Sequence, residues 1–266
     1  MILRDLLRLL GSAKRDGRNL THEEAYRAFE LMFVGGQSEI QIGAFLIALR
    51  WKGVTVEELT AFAQAARAHA KIPCKGMSDL VCVCPPQDGV DSFPPLEVAS
   101  GLIAAAVGAR VLIITDRCVP PKRGLTAASV LERLGLDMTW DANEAEDWVA
   151  KTRFGVASAS GLLPGLMGLR RVRGEIGVRT PLATVEKLIA PTSAALVIGA
   201  QTGPVLGVRV GVGVIVEVHV IEGVAEGVRV FVRVRVALRV GVIVRVGVTV
   251  GVRVLVGVGV RVGVTV

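Results

Sequence analysis

The chain has 266 residues, 52% hydrophobic and 21% charged, enough to bury a real core in one large domain or two modest ones. A mean hydropathy of +0.56 and a pI of 9.7 would point to a membrane or to nucleic acid, but both come from one biased segment. From 208 to 266 valine fills every even position except 222, 226 and 238, and eight Arg against three Glu there supply +5 of the net +7, so bulk charge assigns no polyanionic partner to the remainder.

The N-terminus carries charges at Arg4, Asp5 and Arg8 inside its apolar run, which predicts an amphipathic helix and excludes a signal peptide. There is no stretch of 18 uncharged apolar residues, so no helical membrane span is expected. Four Cys (74, 82, 84, 118) make no disulfide framework and read as small buried hydrophobes of a reducing, cytoplasmic compartment. The three His (22, 69, 219) are too dispersed for a local metal motif, and Trp51, Trp140 and Trp148 read as packing residues.

Residues 1–72 predict a helical domain of four short helices. Thr21–Glu24, Ser38–Gln41 and Thr55–Glu58 each place a hydroxyl at an N-cap with Glu or Gln three residues on, the capping-box pattern. Apolar residues follow at helical spacing, as in Ala25, Phe29 and Met32, and Gly35, Gly36 and Gly53 stop the helices. So small an assembly needs a further surface to pack on, either the next domain or a second copy.

Residues 77–207 predict an α/β domain with a mainly parallel sheet. Strands are expected at 79–84, 109–115, 155–158 and 194–198, and helices at 96–107, 126–134, 144–151 and 181–188. Ligands in such sheets sit at the carboxyl ends of strands, which directs attention to the loops after Cys84 and Thr115. Residues 208–266 form a low-complexity tail with a two-residue period and no Pro, Asn or Asp to make turns. It reads as unstructured or as spurious β, the product of a repeat in the coding DNA or of a shifted reading frame.

The stretches Leu20–Ala25, Ser38–Arg50, Lys52-Gly53 and Thr55–Leu59, followed by Leu131–Gly135 and Val172–Thr180, resemble the anthranilate phosphoribosyltransferases of glycosyltransferase family 3. The resemblance covers about residues 5–204 and implies a helical domain that supplies a homodimer contact, joined to an α/β domain. The family displaces pyrophosphate from phosphoribosyl pyrophosphate (PRPP) with an aromatic amine. That reaction needs a glycine loop of free N–H groups, and Mg²⁺ to offset charge on the leaving group.

Where the family has G-T-G-G-D-G, this chain has Cys84-Pro-Pro-Gln-Asp-Gly89, so only Asp88 and Gly89 remain as PRPP-loop matches. Pro85 and Pro86 have no N–H to donate and resist the tight turn. At the next helix the family's Asn, Ser and Thr give way to Pro95, Glu97 and Val98. After the second strand only Arg117 matches, and Pro120-Pro121 replaces a pair of Ser. The His-bearing segment falls near Ser160–Pro164 without a His, and the Asp-Glu metal ligands would lie beyond residue 207, where Asp is absent.

No catalytic residue, cofactor or metal ligand is therefore assigned. The remaining basic residues, Lys122, Arg123, Arg170, Arg171, Arg173 and Arg179, resemble the basic groove of degenerate relatives that bind single-stranded nucleic acid without sequence preference. For Arg170–Arg179 the bland alternative is a solvated face pairing with Glu175, and for Arg117 a structural salt bridge. Two further readings stay open. One is an active transferase that uses PRPP and Mg²⁺. The other is a reading frame that encodes no working protein, because the tail replaces the domain's second half.

Overall fold

A computed structural model describes residues 2–11, 17–91 and 95–199, together with the backbone of 214–221 and 229–236. The chain divides into two compact units, Met1–Gly199 and Ala200–Val266.

The first unit opens with four helices: α1 (Leu3–Leu10), α2 (His22–Val34), α3 (Glu39–Lys52) and α4 (Val56–His69). In α1, Leu3, Leu6 and Leu10 recur at helical spacing and are buried. At α2 the Glu24 N–H donates to Thr21 Oγ1 (3.2 Å) and Thr21 N–H donates back to Glu24 Oε2 (2.9 Å). Thr55 and Glu58 repeat that reciprocal cap at α4. Glu58 is fully buried and also accepts from Leu20 N–H (2.7 Å) and Lys52 Nζ (2.8 Å), tying the entry of α2 and the end of α3 to the cap of α4. The third expected box is absent: Ser38 precedes α3 but makes no side-chain cap bond. Phe29 stacks on Phe62 at 3.9 Å between ring centres, joining α2 to α4.

The α/β part contains β1 (Leu80–Cys84), α5 (Glu97–Ala106), β2 (Arg110–Thr115), α6 (Ala127–Arg133), α7 (Ala142–Thr152) and β3 (Phe154–Ser158). It continues through α8 (Ala159–Leu162), α9 (Leu166–Ile176), α10 (Leu182–Val185), a 3₁₀ turn at Glu186–Leu188, and β4 (Leu196–Gly199). All four strands are parallel, in the order β3-β2-β1-β4, with Val83 opposite Ile113 and Ile198. Val83, Val98, Val111, Ile113, Ala127, Leu131 and Val156 form one buried core. Leu80, Cys82 and Cys84 alternate onto the other face and are also buried, as a sheet covered on both sides requires.

The strand and helix expectations hold to within two residues at most ends, and three differences have local causes. Asp141 caps α7 by accepting from Asn143 and Glu144 N–H (2.8 and 3.0 Å), which starts that helix two residues early. The helix expected over 181–188 splits into α10 and the 3₁₀ turn. Helix α8 is not among the expected elements.

The helical part does pack on the α/β part. Gly43 of α3 faces Val172 and Ile176 of α9, where an added Cβ would stand 3.6–3.7 Å away, and Arg171 of α9 pairs with Glu39. Three of the four Cys are buried as expected, but Cys118 is exposed. Trp51 and Trp140 are 85% and 58% exposed, contrary to the packing role assigned to them. Among the described residues, no helix is long and apolar enough to cross a membrane.

In the second unit, β5 (Val214–Ile221) and β6 (Arg229–Val236) pair antiparallel, with Val214 opposite Val236 and Ile221 opposite Arg229. The rest of the low-complexity tail, and with it the question of a shifted reading frame, lies outside the described residues.

Candidate functional site at the strand C-termini

The chain runs from β1 outward to β2 and β3 and then places β4 on the other side of β1. The sheet's switch point is thus beside the carboxyl end of β1, where open α/β sheets form their ligand crevice. The loop after β1 is folded back on the protein. Gly89 N–H donates to Pro86 O (3.0 Å), Val90 N–H to Leu125 O (2.9 Å) and Gly124 N–H to Asp88 O (2.9 Å). Leu125 N–H returns a bond to Val90 O (2.8 Å), so the β1 and β2 loops are zipped together by their backbones. Gly89 has φ +76°, and a Cβ there would stand 2.4 Å from the Gly124 carbonyl.

Side chains close the same loop. Asp88, 3% exposed, accepts two bonds from one guanidinium, Arg179 Nε (2.5 Å) and Nη2 (2.6 Å). The hydrogen bond to Asp88 holds the Arg179 pKa above its usual value, against the opposing effect of burial. Gln87 donates Nε2 to Ile114 O (2.9 Å), while its buried Oε1 has no partner. Lys187, in the 3₁₀ turn, feels Arg179, Asp88, Cys84 and Glu186, and burial with Arg179 lowers its pKa to about 8.

Beside this loop lies a buried ionic network that the sequence did not reveal. Asp116, just after β2, accepts from Ser158 Oγ (2.5 Å), Ser160 N–H (2.8 Å) and Arg170 Nη1 (2.5 Å). Arg170 Nε donates to Glu186 Oε1 (3.0 Å), and Arg173 Nη1 donates to Glu186 Oε2 (3.3 Å). Two carboxylates thereby neutralise two guanidiniums. Burial works against the Arg170 charge, but the pull of Glu186 and Asp116 outweighs it and raises the Arg170 pKa. The sequence signals are an acid directly after a buried strand and a Glu-Lys pair inside an apolar segment.

These positions correct the expected basic groove. Arg170 and Arg173 are 6% and 0% exposed and serve as internal ion-pair partners, closed to a polyanion. Their partners are Asp116 and Glu186, so the solvated pairing with Glu175 is also corrected. Arg179 is half-buried and committed to Asp88. Arg171 is exposed, on the face of α9 that meets α3. Lys122 is exposed and pairs with Asp91 (2.8 Å), and Arg123 is exposed with φ +54°. Arg117 makes an exposed salt bridge to Glu132 (3.2 Å).

The helical bundle domain of the glycosyl transferase family matches residues 10–70, and that family's a/b domain matches residues 89–206. The anthranilate phosphoribosyltransferase of Acetivibrio thermocellus is 31% identical over 73% of this chain and 53% of its own length. That of Persephonella marina is 33% identical over 67% of this chain and 52% of its own. The chain thus spans about half the length of the curated relatives it matches. The crystal structure of anthranilate phosphoribosyltransferase from Thermus thermophilus superposes with a TM-score of 0.61 at 25% identity, covering 77% of this chain and 57% of that one. With a helical bundle and a parallel α/β sheet carrying these matches in the same order, the chain belongs to glycosyltransferase family 3, the family of the anthranilate phosphoribosyltransferases.

Proposed function

We propose that this chain keeps the phosphoribosyltransferase architecture, has lost turnover of PRPP, and binds phosphate-bearing polyanions, with single-stranded nucleic acid as the class to test first. The observation that carries this reading is the state of the β1 loop. Gly89 and Val90 N–H groups donate inside the protein, Pro85 and Pro86 have none, and both Asp88 oxygens are held by Arg179. A diphosphate arriving there meets a carboxylate and ring carbons where it needs amide hydrogens.

Mg²⁺ does not fit the described residues either. No group of three or more His, Cys, Asp or Glu among them could hold a metal ion, and the two described loop carboxylates, Asp88 and Asp91, are already ion-paired. The polyanion surface is redrawn around the exposed Arg117, Lys122, Arg123 and Arg171. Fluorescence anisotropy with a labelled single-stranded oligonucleotide should show binding that weakens steeply with salt and weakens further in a Lys122→Ala/Arg123→Ala variant. A flat titration at low salt ends the reading.

Kinship favours a second reading, and on kinship alone it stands nearer: transfer of a phosphoribosyl group from PRPP to an aromatic amine. Both relatives are named anthranilate phosphoribosyltransferase, at 31% and 33% identity. Calorimetry with PRPP and Mg²⁺, followed by addition of an aromatic amine as acceptor, separates the two, since heat of binding together with amine-dependent pyrophosphate release supports the transferase. Under either reading we infer a cytoplasmic homodimer joined through the N-terminal helices, with divisions at 1–72, 77–207 and 208–266. Sedimentation of the full chain at twice its monomer mass supports the dimer, and monomer mass at micromolar concentration refutes it.

A further inference from the structure

Strands β5 and β6 lie in the only two runs of eight or more residues without glycine between 208 and 266. Beyond them glycine recurs at 241, 247, 251, 257, 259 and 263, and glycine weakens a strand because it brings no side chain to pack. The register of the ribbon sets Val opposite Val at 214/236, 216/234, 218/232 and 220/230. The alternation of a strand puts those pairs on one face and leaves Ile215/Arg235, Glu217/Arg233, His219/Phe231 and Ile221/Arg229 on the other. A lone two-stranded ribbon is marginal in water, and each of its edges offers a row of unpaired backbone N–H and C=O groups. Among the described residues no third strand pairs with either edge.

We propose that the β5 edge is a docking surface for β5 of a second copy of this chain, paired antiparallel across a two-fold axis at Val218 into a four-stranded sheet ordered β6-β5-β5-β6. The Val face stays continuous only if even positions oppose even positions. With Val218 opposite Val218, Val216 meets Val220, Ile215 meets Ile221, and Glu217 of each copy meets His219 of the other, an acid against a base twice over. The β6 edge offers no such match. Centred on 231, 232 or 233, a pair of β6 strands sets Arg229 against Arg233, Arg229 against Arg235, or Arg233 against Arg233, and like charges directly opposite are destabilising. Because the β5 contact is self-complementary and the β6 edges repel, the assembly closes at two copies and does not run on into a fibre. Four strands sharing one apolar face reach the size at which an antiparallel sheet is stable on its own.

The test is disulfide trapping in the full chain, with the exposed Cys118 first replaced by Ser. Only a residue on the two-fold axis stands opposite its own copy within disulfide reach, so under diamide Val218→Cys should form a linked dimer about tenfold faster than Val232→Cys. A dimer joined through the N-terminal helices gives no reason for 218 to exceed 232, so the preference reads the β5 edge alone. Glu217→Lys should slow the Val218→Cys link, and Glu217→Lys/His219→Glu should restore it, because the swap rebuilds the pairs between copies while leaving residue 217 opposite Arg233. Equal rates at 218 and 232 overturn the proposal, as does a swap that restores nothing. Vesicles of phosphatidylserine and phosphatidylcholine that bind the chain and abolish the link assign the ribbon to a lipid surface and overturn it as well.

Discussion

Lys187 sits where burial and Arg179 both oppose its charge, and its pKa is lowered to about 8. In the unfolded chain the same amine titrates near 10.4, so between those values the unfolded state binds more protons and stability rises with pH. Lys187→Met should therefore melt higher than the parent at pH 7, with the difference shrinking through pH 8–10 and gone by about pH 11. Thermal melts across that range check it, and a constant offset would contradict the assignment. Glu24 has the opposite sign: the Arg18 hydrogen bond and the cap hold its carboxyl at about 2. Its contribution is present above the ordinary carboxylate range and lost as pH falls from about 4.5 toward 2. Gly89 is constrained by geometry instead. Gly89→Ala meets both a left-handed φ and the Gly124 carbonyl, and should lower stability by roughly 2 kcal/mol or more in urea unfolding.

Helix starts show how far a local signal can be trusted. Three segments carry the same spacing of hydroxyl and Glu or Gln, yet Thr21 and Thr55 form reciprocal caps and Ser38 does not. Thr55→Ala should accordingly cost about 1 kcal/mol, and Ser38→Ala should fall within about 0.5 kcal/mol of the parent. Chemical denaturation of the two variants side by side checks the contrast. The motif was legible in the sequence because both partners of a capping box lie within one turn. Whether a particular serine turns its hydroxyl inward is a rotamer choice made by its neighbours. The four strands were equally legible, since runs such as Val111–Ile114 have no other way to bury both faces of a parallel sheet.

The strand-end charges belong to the molecule as a whole. Asp116 meets Arg170 across 54 positions and Asp88 meets Arg179 across 91. In the sequence, Arg170–Arg179 therefore looks like an open basic face, because the neutralising acids are remote. Arg170→Met leaves Asp116 and Glu186 facing a buried gap and should destabilise by roughly 3–5 kcal/mol. Urea unfolding measures that loss. Oligonucleotide affinity of the folded fraction should stay unchanged, since Arg170 is closed to solvent.

The sequence by itself determined most of the local geometry and the kinship: the capped starts of α2 and α4, the strand periods, and the family landmarks from Leu20 to Thr180. It also established that two prolines, which have no N–H to donate, stand in the loop after β1. Which arginines face water and which are consumed inside the protein was decided only by the tertiary structure. Hydrogen bonds within a helical turn and the alternation of a strand are set by neighbours a few residues away. The pairing of charges is set by which loops the parallel sheet brings to one edge.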